Sequence, residues 1–367
     1  MRCPDNERVV MHKIYLTEQE PGGLSPLAGA KAPADVEKIL ERLGFSHKRI
    51  PCWHPRNPIT HVLFNCFRLM GAIRTALVMP KRSVIFLQFP QFAALRPGLL
   101  CLRLAKCYKR AFVISLFHDI EAARGSGRID SDGLNPDIRQ LMKHSDAIIV
   151  HNTCMQKWLE KKGVPTERMV SLEVFDYLTD GFIPTKSPAF EKIVLIAGNL
   201  SMKKSSYLAK LHEISNVQWD LYGQYYDSQN IPGNNVRFRG SFSAEEIPRH
   251  MNRGFGLVWD GNSVDTCSGP TGDYLKINNP HKLSLFLASG IPVIIWEEAA
   301  EAEFVRKYQV GLTVRSLREV GDRLAKLHPE EYARLVENVQ YVSAKLRGGE
   351  FMIHAFNQAY GFSLLDK

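Results

Sequence analysis

Between Arg42 and His118 the chain has no aspartate or glutamate. The same stretch carries thirteen cations: Arg42, Lys48, Arg49, Arg56, Arg68, Arg74, Lys81, Arg82, Arg96, Arg103, Lys106, Lys109 and Arg110. They more than account for the net charge of +9, so the basicity is regional and points to one anionic partner. Other absences are as informative. None of the seven cysteines forms a C-x-x-C pair, which excludes zinc-ligand spacing and a dithiol redox motif. Scattered thiols fit a reducing cytoplasm. The N-terminus has no apolar h-region of a signal peptide. The longest apolar stretch, 61–79, is interrupted by Asn65, Arg68 and Arg74. A central arginine costs at least ~2.5 kcal/mol on insertion scales, so this stretch does not span a membrane, although it can lie on one. No H-E-x-x-H, Walker or complete Rossmann glycine pattern occurs.

What is present is an ordinary apolar share, 45% of 367 residues, enough for two domains. Apolar strand-like runs alternate with helical patterns, the signature of parallel α/β architecture. Strands are expected at 13–16, 83–88, 111–117, 147–151 and 169–174, with helices near 35–43, 61–78, 99–110, 137–144 and 154–162. Residues 177–192, with two prolines and a glycine, read as a linker. A second alternation follows. Its strands are expected at 193–197, 218–222, 256–259, 291–295 and 311–314; its helices near 203–212, 244–251, 281–288, 299–307 and 316–327, then 330–346 and 351–360. This predicts two Rossmann-like doubly wound domains facing a cleft, with ligands beyond the carboxyl ends of the strands.

Residues 278–295 (NNPHKLSLFLASGIPVII) place Asn279 as an N-cap, Pro280 at the first helical position and Lys282 in the first turn. Free N–H groups, the helix dipole and a full positive charge make a diphosphate cradle. An ordinary capped helix with an exposed lysine fits the same residues. In 196–204 (IAGNLSMKK), Gly198, Asn199 and Ser201 follow a strand and lead to Lys203 and Lys204; a solvated loop fits equally. In 117–124 (FHDIEAAR), His118, Asp119, Glu121 and Arg124 would sit at the carboxyl edge of the first sheet, where a carboxylate can act as general base; an N-cap aspartate with solvated neighbours fits equally. Asp130 and Asp132 form a D-x-D triplet in a glycine-rich polar loop and read as turn residues rather than metal ligands. Residues 258–274 form a long polar loop containing Asp260, Asp265 and Asp273. Tyr222, before Gly223, can stack a base or simply punctuate a turn. In 99–110, Arg103, Lys106 and Arg110 share one helical face. Without interleaved aromatics, this fits an anionic membrane surface better than a nucleic acid.

At these motifs the sequence resembles the bacterial galactofuranosyltransferases of O-antigen synthesis (the β-1,6-galactofuranosyltransferase type). More distantly it resembles the glucosyltransferase-3-like enzymes of streptococci. The stretches that carry the resemblance are HDIEAAR, HNTCMQKWL, VFDYL, AGNLS, FGLVWDGNSVDTCSG, GDYLKINNPHKLSLFLASGIPVIIW and KLRGGEF, spanning His118 to Phe351. The resemblance implies a glycosyltransferase-B architecture. It divides the chain into an acceptor-side domain (1–178), a nucleotide-sugar domain (179–345) and a C-terminal helix (346–367) returning to the first. It implies a UDP-sugar donor held by Gly198, Asn199, Lys203, Lys204, Tyr222, Asn279, His281 and Lys282, with no metal or other cofactor. The implied acceptor is a glycan carried on a polyprenyl lipid in surface-polysaccharide synthesis. Many retaining members of this architecture carry two glutamates eight positions apart; Ile277 and Leu285 stand there in this chain. Inversion, with Asp119 or Glu121 as base, is therefore expected. The implied place of work is the cytoplasm or the inner face of its membrane, and a homo-oligomer stays open. The alternatives are a UDP-glucose-dependent glucosyltransferase of the same architecture and a non-catalytic sugar-nucleotide-binding partner in a glycan-assembly complex.

Overall fold

The computed structural model describes residues 11–19, 31–51, 58–90, 96–120, 129–131, 133–184 and 189–365. The first half alternates β1 (Lys13–Gln19), α1 (Lys31–Arg42), β2 (Ser46–Pro51), α2 (Pro58–Val78), β3 (Val84–Phe89), α3 (Arg96–Lys109), β4 (Phe112–Phe117), α4 (Pro136–His144), β5 (Ala147–Val150), α5 (Thr153–Glu160) and β6 (Met169–Ser171). A helix separates each pair of successive strands, so neighbouring strands run parallel. The order is β2-β1-β3-β4-β5-β6. VIFLQF and FVISLF are almost wholly buried, as strands covered by helices on both faces must be.

The second half holds β7 (Ala189–Asn199), β8 (Gln218–Gln224), β9 (Val236–Gly240), β10 (Arg253–Val258), α6 (Gly269–Tyr274), α7 (His281–Ala288), β11 (Val293–Trp296), α8 (Ala302–Tyr308), β12 (Gly311–Val314), α9 (Val320–Lys326), α10 (Pro329–Gly348) and α11 (Glu350–Leu365). Its sheet is also parallel, in the order β12-β11-β10-β7-β8-β9. Gly349 adopts a left-handed conformation (φ 83°) that ends α10 and redirects the chain. The chain then returns to the first sheet. Met352, Ala355, Phe356 and Ala359 of α11, spaced for one helical face, share a core with Val36, Ile39 and Leu40 of α1 and with Phe86 and Ile149 of the first sheet.

The α/β class and two-sheet order follow the sequence expectation, with local corrections. β2 (SHKRIP) and β9 (VRFRG) were not expected. Both are polar edge strands whose unburied faces remove the apolar signal. The expected helices 203–212 and 244–251 are instead 3-10 turns at Ser206–Glu213 and Ile247–His250; the second contains Pro248, which lacks a backbone donor. The polar loop 258–274 contains the short helix α6. α7 starts at His281 with Pro280 as its cap residue, so Asn279 is not the N-cap. Among the described residues, no helix is long and apolar enough to cross a membrane.

Candidate active site

In the second sheet the chain runs outward from β7 to β8 and β9, then returns to β10 on the other side of β7. The gap between the carboxyl ends of β7 and β10 is thus the topological switch point, where such sheets leave room for a ligand. At the end of β7, Gly198 (φ 125°) pairs with Gly223 (φ 152°) of β8. A Cβ on Gly223 would lie 1.8 Å from the Gly198 carbonyl oxygen, so only glycine allows this approach. The chain then turns through Asn199, whose side chain accepts from Ser201 N (2.9 Å), and exposes Lys203 and Lys204. Thr271 Oγ1 donates to Lys204 O (3.5 Å) and Ser206 Oγ to Asn262 Oδ1 (3.3 Å), tying the loop after β7 to the loop after β10.

Lys282 enters this gap from the first turn of α7. Its Nζ donates to Trp259 O (2.7 Å) and Asp260 Oδ1 (2.8 Å), directly after β10. The two side chains are only 18% and 10% exposed. In that partly desolvated setting, removing one partner leaves the other charge poorly compensated. The cation is therefore held at the strand ends by a carboxylate and a backbone carbonyl.

The first sheet has its own switch point, between β1 and β3. Gln88 is fully buried at the end of β3, with Nε2 donating to Tyr15 Oη (2.7 Å) and Pro33 O (3.1 Å). Its Oε1 accepts from His118 Nε2 (2.5 Å), just after β4. The His118 ring stacks on Phe175 at 5.2 Å between centroids. Burial, with His151 and His281 nearby, pushes His118 down to about 3, so the ring is neutral at physiological pH. Asp119 is half-buried beside it at the same strand end. Glu121 lies outside the described residues.

The two switch points meet through a polar joint. Ile120 N donates to Tyr274 Oη of α6 (3.1 Å). His151 Nε2 donates to Phe117 O (2.9 Å), and its Nδ1 accepts from Asn279 N (2.9 Å), which fixes the neutral tautomer. Asn279 Nδ2 donates to His151 O (2.8 Å) and Glu173 O (3.0 Å), while Oδ1 accepts from Asn152 Nδ2 (2.7 Å). Ser284 Oγ donates to Phe175 O (2.6 Å). Asp176 accepts from Phe351 N (3.3 Å) and Met352 N (2.7 Å), and burial raises its carboxyl to about 8. The Tyr177 hydroxyl donates to Ala244 O. The VFDYL and HNTC stretches thus join the two halves.

The expected residues therefore separate into groups. Gly198, Asn199, Lys203, Lys204 and Lys282 surround the second switch point. Asn279 and His281 belong to the joint: every polar side-chain atom of Asn279 is engaged there, and His281 stacks on Tyr177 at 5.0 Å and donates to Asp176 O (3.4 Å). Burial pushes His281 down to about 4. Tyr222, expected at the nucleoside, is instead a core residue, 5% exposed, with its hydroxyl on His250 O (3.3 Å). Asp130 pairs with Arg139 (2.6 Å) and accepts from Leu134 N (2.9 Å), the turn role expected for it; Asp132 lies outside the described residues. Asp260 and Gln88 were not singled out as site residues. The one available signal was a lone glutamine in the buried run VIFLQF, since a polar group there needs partners.

Residues 13–174 match the N-terminal domain of the glucosyltransferase 3-like family, and residues 194–359 match its C-terminal domain. A β-1,6-galactofuranosyltransferase of Escherichia coli K12, WbbI, is 35% identical over 243 residues, covering 65% of this chain and 68% of that protein. Among solved structures, a sucrose-phosphate synthase of Thermosynechococcus elongatus superposes with a TM-score of 0.58 at 14% identity, over 97% of this chain and all of that one. Anabaena HepE, solved in complex with UDP, gives 0.56 at 12% identity, over 96% of this chain and all of that one. The two family-model matches and the 35% identical relative make this protein a glycosyltransferase of the glucosyltransferase 3-like family, and two parallel sheets facing across a joint, matched in fold by these solved structures along nearly the whole chain, give it glycosyltransferase-B architecture.

Proposed function

We propose that the chain transfers a hexosyl unit, galactofuranose, from a UDP-sugar to a lipid-linked glycan acceptor in bacterial surface-polysaccharide synthesis. Transfer inverts the anomeric centre and needs no metal. The observation that carries this reading is Lys282, held by Asp260 and the Trp259 carbonyl at the second switch point beside the Gly198–Asn199 turn. The name of the E. coli relative supports the galactofuranosyl donor. The UDP in the HepE structure supports a uridine diphosphate leaving group.

In this mechanism an acceptor hydroxyl oxygen attacks the anomeric carbon from the face opposite UDP. Asp119 takes the hydroxyl proton; Glu121 is the other carboxylate proposed for that role. The anomeric C–O bond to UDP breaks, and its electron pair leaves on the diphosphate oxygen. Lys282, Lys203 or Lys204, and the first N–H groups of α7 meet that charge. Cations and a helix dipole thus do the work that a metal does elsewhere, and Asp130 is already committed to Arg139.

The test is UDP release with UDP-galactofuranose and a matched acceptor. Lys282→Ala should lower turnover by about 10²–10³-fold, the scale for losing one preorganised donor to developing charge. Turnover equal to wild type removes Lys282 from the mechanism. The family description favours a second donor, UDP-glucose, and faster release from it reassigns the sugar. UDP binding without turnover on any donor makes the chain a non-catalytic binder.

A further inference from the structure

α2 is built inside out. Its buried face is Arg68, Ala72, Ala76 and Met79, with Arg68 only 5% exposed. Its outward face carries Phe67, Met70, Leu77 and Val78, each more than half exposed, around the single exposed cation Arg74. A surface helix ordinarily shows the reverse. Of the eleven large apolar side chains exposed among the described residues, five lie on α2 and a sixth, Tyr108, on α3. The two helices share one core through Ala72, Ala76, Cys101 and Ala105. Arg82 N donates to Lys109 O (2.6 Å), which brings the turn after α2 against the end of α3. Leu77, Val78 and Tyr108 thereby sit among exposed Lys81, Arg82 and Arg110, with exposed Arg103 one turn back on α3.

From this geometry we infer that the outward face of α2, with the adjoining end of α3, is a docking surface for an anionic lipid bilayer. The apolar ridge enters the headgroup boundary, and the flanking cations pair with lipid phosphates. An amphipathic element on a membrane has this division of labour, apolar contact plus attraction to anionic headgroups. A second copy of the chain fits less well. A two-fold contact through this face would oppose two cationic surfaces with no acid between Arg42 and His118 to compensate. The inference does not depend on the proposed donor or on the residues at the switch points.

The experiment is co-sedimentation of the purified protein with vesicles of phosphatidylcholine alone and with a quarter phosphatidylglycerol. Wild type should sediment with the anionic vesicles and be released by salt. Phe67→Ser/Met70→Ser/Leu77→Ser should lower partitioning by at least ~10-fold, as loss of buried apolar area requires. Arg74→Gln, Lys81→Gln and Arg103→Gln should each lower it about fivefold. These are exposed positions, and UDP binding measured by calorimetry should match wild type in every variant, which separates a docking defect from a folding defect. Equal sedimentation with both vesicle types overturns the inference. So does absence of wild-type binding, or variants that bind like wild type. Self-association in the ultracentrifuge that the serine variant abolishes, without vesicle binding, reassigns the face to a contact between copies.

Discussion

The carboxyl ends of the two sheets face each other but offer opposite chemistry. At the second, Lys282 and Asp260 form an ion pair at 2.8 Å, with Lys203 and Lys204 exposed nearby. At the first, the polar groups are neutral: Gln88, His118 stacked on Phe175, and His151 in a fixed tautomer, with Asp119 the carboxylate at the edge. The difference teaches a division of work. Cations gather on one side. On the other, neutral hydrogen-bonding side chains line the strand ends.

The sharpest way to break this comparison is Asp119→Asn. If the first crevice supplies the base, turnover should fall by about 10²–10⁴-fold while UDP affinity by calorimetry stays at the wild-type value. A parallel loss of UDP affinity would mean that the two sides do not divide binding and proton transfer.

The next effect is on stability. His281 is held down to about 4, so below its ordinary value the unfolded chain takes up a proton that the fold refuses. Its contribution is fully present above about pH 6.5 and is lost as pH falls toward 4. Between pH 7 and pH 5 that amounts to about 2 kcal/mol, read from urea midpoints as the difference in slope between wild type and His281→Gln. Asp176, raised to about 8, acts in the opposite sense: its contribution is present below about pH 4 and is lost as pH rises through 8. Asp176→Asn should therefore change the slope with the reverse sign.

The smallest effect sharpens the cationic side. Asp260→Asn frees Lys282 from competition with a carboxylate, so UDP should bind a few-fold more tightly, about 0.5–1 kcal/mol, where Lys282→Ala weakens it. Weaker binding in both variants would make Asp260 a positioning group rather than a competitor.

The contrast also shows what a sequence reveals. Runs such as FVISLF, AIIV and VIIW announce strands because parallel strands are buried on both faces. SHKRIP and VRFRG do not, because only pairing to a neighbour makes them strands. In the same way, the place of Lys282 in the first turn of a proline-started helix was legible, whereas its partner was not. Asp260 is one of several acids in a polar loop, and only the return of β10 beside β7 selects it. Tyr222 was ambiguous for the converse reason: a tyrosine before a glycine at a strand end reads alike whether its ring faces a ligand or, as here, is largely buried. Asn279 has an N-cap's residue type and spacing, but tertiary contacts with His151, Asn152 and Glu173 claim its side chain.

The path of the backbone has one more consequence. The chain passes from the first sheet to the second after Leu178, and back again where Gly349 separates α10 from α11. Asp176, two residues before the first passage, holds the N–H groups of Phe351 and Met352, just after the second. The two passages are therefore fastened to each other, by the buried Asp176 carboxyl and by Tyr177 N donating to Leu346 O (3.2 Å).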